Sequence, residues 1–289
     1  MPRLYLVLGP TASGKTAHAI ELALQLHTEI VSCDSRQFYR ELDIGVARPT
    51  HDELSAVPHH FIACRPVTEP YNVYTYWQEA KDCLHRLMER YGCAVAVGGS
   101  GLYIEALCHG VSRLPDPDPA LRKELQRRLQ EEGVESLRPL LRQLDPDYYA
   151  RVDLANGVRI QRALEVCLTA GRPYSELLRE PRPPREYDIT PVILHRDRDE
   201  LRSRINGRVS QMMRHGLEEE AQRLYPLRHL NTLNTVGYKE LFSLWESQGA
   251  PVPLTPDQRE RVADQIRLNT WHYAKKQLTW LKKAKGVLE

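Results

Sequence analysis

No two cysteines in this sequence are spaced C-x-x-C. The six present, Cys33, Cys64, Cys83, Cys93, Cys108 and Cys167, lie far apart. That spacing excludes a zinc ribbon or a dithiol redox motif and predicts reduced thiols. No apolar run approaches membrane-spanning length. The first residues lead straight into a strand-like run, not a charged-then-apolar leader. A cytoplasmic protein with no membrane partner is therefore expected. The net charge of +2 is too small to demand a nucleic-acid partner, so any basic surface must be local. An Asn-Lys-x-Asp guanine-reading segment, internal repeats and low-complexity tracts are all missing. What remains, 42% hydrophobic and 27% charged over 289 residues, suits one large soluble domain or two smaller ones.

One loop organises the rest. Gly9-Pro10-Thr11-Ala12-Ser13-Gly14-Lys15-Thr16 fits G-x-x-x-x-G-K-[ST], the phosphate-cradling P-loop. The apolar run 4–8 before it reads as a buried strand, and 17–26 after it reads as a helix. A chance match in a glycine-containing turn would lack that strand–loop–helix context. Gly9 and Gly14 let backbone N–H groups converge on an anion, and the next helix adds its positive end. Lys15 supplies a mobile charge, and the Thr16 hydroxyl suits Mg²⁺. The loop alone leaves ATP, GTP and other diphosphate esters open.

Further strands are expected at 29–33, 93–97 and 189–195, the last an edge strand because it carries Pro191. The first of these runs into Asp34-Ser35-Arg36-Gln37, and the second into Gly98-Gly99-Ser100-Gly101. In a parallel α/β sheet both strand ends face the phosphate loop's crevice. Helices are expected at 76–91, 158–170, 202–214, 217–224 and 262–285. Proline-rich linkers near 115–119 and 181–185 bracket a purely helical stretch. The fold class predicted is α/β, a P-loop NTPase-like parallel sheet core (1–113 and 189–289) with an inserted all-helical subdomain (114–188).

Each candidate residue has a plainer reading beside the functional one. Asp34 is a general base or Mg²⁺ partner, or else an Asx turn. Gly98 to Gly101 brings backbone close to a ligand, or is only a tight connection. Arg204 and Arg208, four apart on one helix face, clamp phosphate or are solvated charges. The lysine-rich last helix tracks an RNA backbone or is a soluble tail. His59 and His60 are adjacent on an extended segment and so point oppositely, which argues against a shared metal. Trp271, Trp280 and Tyr273 read as packing residues. A strand ending in acid, as motor ATPases have, occurs only at Asp34. Spacing by itself leaves a small-molecule kinase open, and also an RNA-binding module with a nucleotide switch.

Together the motifs resemble the tRNA dimethylallyltransferase family, in its short bacterial form. The P-loop, Asp34-Ser-Arg-Gln-Phe-Tyr-Arg40, Asp43-Ile-Gly-Val-Ala-Arg-Pro49, Val57-Pro-His-His60, Gly98-Gly-Ser-Gly-Leu-Tyr103, Arg162-Ala-Leu-Glu165, Val236-Gly-Tyr-Lys-Glu240 and the stretch 270–280 carry the likeness in order. The chain departs at Ser100 and Val46, where threonine is usual, at Asn234, and at Trp271-His272, which replaces a basic pair. The resemblance implies transfer of a dimethylallyl group from dimethylallyl diphosphate to N6 of adenosine 37 in tRNA, with Mg²⁺ assisting and diphosphate released. It implies that Gly9 to Thr16 hold the donor diphosphate and that Thr16 ligates the metal. Asp34, Lys15, Ser100, Arg204 and Arg208 would be the catalytic residues. Contacts to the tRNA anticodon stem-loop would come from Asp34, Ser35, Arg36, Gln37, Ser100 and Arg122. Val158, Arg159, Ile160, Gln161 and Arg162 would add to them, as would Asn234, Thr235, Val236, Gly237, Tyr238 and Lys239. A monomer is expected.

Overall fold

The computed structural model describes residues 1–183 and 185–288, with side chains as far as Ala284. Pro184 of the expected second linker and the side chain of Lys285 in the basic helix lie outside the described residues. The chain divides into two compact units, Met1–His109 with Arg185–Glu289, and Gly110–Pro184.

The first unit is built on a sheet of five parallel strands in the order β3-β2-β4-β1-β5. They are β1 (Arg3–Leu8), β2 (Ile30–Ser32), β3 (His59–His60), β4 (Cys93–Gly98) and β5 (Asp188–Ile193). Pairing is in register from Arg3 against Cys93 and Asp188 to Leu8 against Gly98 and Ile193. β5 is an edge strand, where Pro191 costs no ladder bond that a further strand would need. Side chains alternate across β1. Leu4, Leu6 and Leu8 enter the larger core with Val31, Ala94, Ala96 and Tyr76. Val7 joins Ala19, Ile20, Ala23, Ile30 and Val95 on the other face. Burying both faces is what a near-continuous apolar run predicts.

Helices start earlier than apolar spacing suggests: at Lys15, Val73, Arg198 and Pro256. The last three begin at side-chain caps, ahead of the regular apolar stripe. Asn72 accepts hydrogen bonds from the Tyr74 and Thr75 N–H groups, at 2.9 and 3.0 Å. Asp197 accepts from Asp199 N–H at 2.8 Å. Thr255 and Gln258 cap each other's backbone ahead of the last helix.

The second unit has no strand among the described residues. Helices Pro119–Glu131, Arg138–Leu144 and Gly157–Ala170 bury Leu125, Leu141, Ile160, Ala163 and Leu164 against one another. The unit begins and ends slightly before the expected boundaries. Gly110, at φ 69°, comes after the helix that ends at His109. The Tyr187 hydroxyl donates to Leu107 O at 2.7 Å, which ties the returning chain to the first unit.

Buried Glu165 organises the helical unit. Arg122 meets it with two parallel bonds of 3.1 Å, and Gln161 adds one of 3.0 Å. Burial opposes the charge, but these donors and Arg162 outweigh it and hold the carboxyl below its ordinary value of 4.5. The folded value lies below the unfolded one, so this stabilisation is complete above the unfolded value and is lost as pH falls through the folded value. Glu165→Gln should cost about 1–3 kcal/mol, the range for losing bonds to a buried charge. Hydrogen exchange should locate the loss in 110–184, and the variant's acid unfolding should be less steep.

Candidate active site

The C-terminal ends of the parallel strands all open on one side. Leu8 leads into the glycine loop, whose turn is made by left-handed Ala12 and Gly14 at φ 64° and 92°. Gly14 starts the helix Lys15–Gln25 with no side-chain cap. The first-turn N–H groups, normally satisfied by a cap, are thus left for an anion. Ser13 is wholly buried, and its hydroxyl has no partner among the described residues. A phosphate oxygen is the kind of group that would satisfy it.

Lys15 folds back over the loop and donates to Pro10 O at 2.7 Å. Burial brings its pKa down to about 8, with Asp34 opposing and Arg208 assisting. Arg208 donates to Thr11 Oγ1 at 3.0 Å, and burial lowers its pKa too. Arg204 is turned to Glu200, at 2.9 Å, although one guanidinium nitrogen lies 3.9 Å from where a Cβ on Gly14 would stand. Of this pair, Arg208 is the one built into the loop.

Two residues absent from the sequence expectations brace the cradle. Arg196 donates from Nε to Ser13 O at 3.0 Å. Gln277, buried on the last helix, accepts from Thr11 N–H at 2.8 Å and donates to Gly99 O at 3.0 Å. Arg196 stands just past β5, a position that a strand-end search could have flagged. Gln277 carries no such signal, because only tertiary packing brings it to residue 11.

The facing wall comes from the ends of β2 and β4. A Cβ on Gly98 would fall 2.7 Å from the Cys33 backbone, so this close approach requires glycine. Asp34 Oδ1 accepts from Arg36 N–H at 2.9 Å. The Asx turn is therefore real, and the same residue also lines the crevice. Ser100 Oγ accepts from Ser35 N–H at 3.1 Å and so links the two strand ends. Gln37 donates to the Val46 and Ala47 carbonyls at 3.2 and 3.0 Å.

Between these walls lies a crevice of about 460 Å³, bordered by Thr11, Asp34, Ser35, Arg36, Val46, Arg208, Asn234, Thr235, Val236 and Lys239. The last helix adds His272, Tyr273 and Lys276. Tyr273, expected to pack, is instead 41% exposed on this wall. Trp271 is buried, and Trp280 donates to Glu105 at 2.8 Å against Gly101, so both are packing residues. His59 and His60 have separate partners, Val57 O and Glu29.

Three residues expected to contact RNA are placed inside the protein. Tyr238 is wholly buried, with its hydroxyl donating to Glu220 at 2.6 Å. Ile160 is wholly buried in the helical unit, although Val158 is 74% exposed and Arg159 is exposed. Neither buried side chain is presented to a partner. The same periodicity that builds a helix turns every third or fourth residue inwards. Gly237 is likewise buried, with φ 106°. Arg122 spends its guanidinium fork on Glu165, with the rest of its side chain half exposed.

Fold and crevice define an α/β protein of the P-loop NTPase-like class, with a glycine loop and the Asp34 carboxylate bordering one crevice. The chain belongs to the IPP transferase family, whose model matches residues 37–284. It is 44% identical over 280 residues to tRNA dimethylallyltransferase 2 of Porphyromonas gingivalis, covering 97% of this chain and 91% of that protein. It is 43% identical over 277 residues to the tRNA dimethylallyltransferase of Christiangramia forsetii, covering 96% and 89%. Among solved structures, the tRNA isopentenylpyrophosphate transferase of Bacillus halodurans is similar, with a TM-score of 0.66 at 33% identity over 98% of this chain and 87% of that one. A eukaryotic dimethylallyltransferase acting on tRNA shares the fold, with a TM-score of 0.79 at 22% identity over 97% of this chain and 70% of that one.

Proposed function

We propose that this protein transfers a dimethylallyl group from dimethylallyl diphosphate to N6 of the adenosine beside the anticodon of tRNA, position 37. The observation that carries the reading is the placement of a carboxylate, Asp34, across one crevice from an anion cradle that already contains Lys15 and Arg208. The N–H groups of Gly14, Lys15 and Thr16, where the loop enters its helix, hold the diphosphate. Lys15 and Arg208, with Arg204 nearby, offset the charge that grows on it as the carbon–oxygen bond breaks. The N6 amine is a weak nucleophile, because its lone pair is delocalised into the ring. Asp34 accepts its proton as the new C–N bond forms.

The Thr16 hydroxyl at the cradle is an oxygen donor that fits Mg²⁺, which takes few protein ligands and keeps waters and phosphate oxygens. Bound there, it would add charge stabilisation at the leaving diphosphate. No group of three or more His, Cys, Asp or Glu that could cage a metal occurs among the described residues.

A base in a stack cannot enter a crevice, so the adenosine is extruded to meet Asp34. Arg36, Ser100, Asn234, Thr235, Val236 and Lys239 receive it, and exposed Val158, Arg159 and the free half of Arg122 serve the stem-loop. No helix among the described residues is long and apolar enough to cross a membrane. The test is incubation with unmodified tRNA, Mg²⁺ and labelled dimethylallyl diphosphate. Label should appear in tRNA. Transfer or hydrolysis of an ATP γ-phosphate without prenylation would instead support a kinase or a nucleotide switch.

A further inference from the structure

Glu220 is only 3% exposed, yet no cation pairs with it among the described residues. Its partners are all neutral donors. Oε2 accepts from Ile44 N–H at 2.9 Å, and Oε1 accepts from Gly45 N–H at 2.9 Å and from the Tyr238 hydroxyl at 2.6 Å. A buried carboxylate held this way is costly unless every bond is made, so it fixes the donors as firmly as they fix it.

Those donors belong to two separate walls of the crevice. Gly45, Val46 and Ala47 form one, and it also receives Gln37 through the Val46 and Ala47 carbonyls. Asn234, Thr235, Val236 and Lys239 form the other, which runs directly into Tyr238. The two walls meet closely: a Cβ on Gly45 would fall 2.4 Å from the Tyr238 ring. A second buried carboxylate, Glu240, holds the same turn from its other end. It accepts from Gly237 N–H at 2.8 Å and from Asn269 Nδ2 at 2.6 Å, and Asn269 lines the crevice from the last helix. The donor cradle, by contrast, is braced by Arg196, Arg208 and Gln277, none of which hydrogen-bonds to Glu220 among the described residues.

We infer that Glu220, acting through Tyr238 and the Ile44–Gly45 amides, is a positioning residue for the acceptor nucleoside and not for the prenyl donor. This rests on the proposed transfer to a tRNA adenosine. Glu220 touches no reacting atom. It keeps the 44–47 and 234–239 walls at one separation, so that an extruded base is held against Asp34. In Glu220→Gln the new amide must face at least one backbone N–H, which leaves that donor unsatisfied. Tyr238→Phe removes only the hydroxyl and keeps the ring against Gly45.

The experiment compares wild type, E220Q and Y238F in kcat/KM for tRNA at saturating dimethylallyl diphosphate, in calorimetric affinity for that donor, and in melting temperature. A wild type that does not prenylate tRNA would fail the proposed function and not this inference. Given an active wild type, E220Q should lose roughly 10- to 100-fold in kcat/KM for tRNA, the scale of a bond to a buried charge. Its donor affinity should stay within about twofold, since the cradle is braced separately. Y238F, the variant that keeps the ring packing, should lose in the same direction and stay folded, its melting temperature lowered only by the one lost bond. An equal loss of donor affinity in folded variants would make Glu220 a general structural residue and overturn the inference. So would full acceptor kinetics in a folded E220Q. If E220Q does not fold, Y238F decides alone, and wild-type kcat/KM for tRNA in that variant overturns the inference.

Discussion

Well below pH 8, where Lys15 stays charged, Asp34→Asn should bind dimethylallyl diphosphate nearly as wild type does and transfer the prenyl group about 10²–10⁴-fold more slowly, the range for a missing general base. Asparagine is the informative substitution because of the Asx turn. Its carbonyl oxygen can still accept from Arg36 N–H, the 2.9 Å bond that shapes the strand end. Ser35, Ser100 and the crevice wall should therefore stay in place, and only basicity is removed. Asp34→Ala loses the turn as well, so its deficit should exceed that of the asparagine variant. Single-turnover transfer to unmodified tRNA, measured with donor affinity, separates the two effects. A full rate in the asparagine variant would remove Asp34 from proton transfer and leave it only a turn former. The donor side should respond only through charge: without the carboxylate the Lys15 pKa falls further, so donor affinity is compared well below pH 8, where Lys15 stays protonated.

The second large effect is expected at Lys15. Its ammonium lies over the loop against Pro10 O, with burial holding its pKa down at about 8. Lys15→Ala should weaken donor binding and slow transfer by about 10²–10³-fold, the scale of one lost charge-stabilising donor in a preorganised site. The pH profile is the more specific test. Below about 8 Lys15 is charged and can meet the diphosphate; above it the amine is neutral. Wild-type kcat/KM for the donor, which reports the free enzyme, should therefore fall as pH rises through about 8. The corresponding limb in kcat should lie higher, because a bound dianion favours the charged form. Lys15→Arg keeps its charge throughout, so it should lose that alkaline limb even if its activity is low. An unchanged limb in the arginine variant would assign the titration to another group.

The helix starts show how far local pattern reaches. Apolar spacing finds the buried stripe, and it missed first turns such as 198–201, where Asp197 caps a polar turn. The caps themselves were legible: Thr255, Pro256 and Gln258 spell a capped start with proline at the first helical position. Position 238 shows the opposite limit. A motif places Tyr238 among residues expected to contact RNA, while burial assigns it to the core beside Glu220. Residues within one short loop share a motif without sharing a face.

The amino-acid order by itself determined the strand, glycine loop and helix at the start, the parallel α/β core, the strand-free helical stretch and the acidic strand end at Asp34. All of these rest on neighbours in sequence: glycine spacing, apolar runs, and the residues at a strand's C-terminal end. Tertiary structure alone decided that Arg208 enters the cradle while Arg204 turns to Glu200. It also decided that Gln277 spans Thr11 and Gly99, and that Glu220 joins two walls of the crevice. Those contacts join residues up to 266 positions apart. A hydrogen bond is set by a few tenths of an ångström and an angle, and no local periodicity encodes where a distant helix will present one side chain.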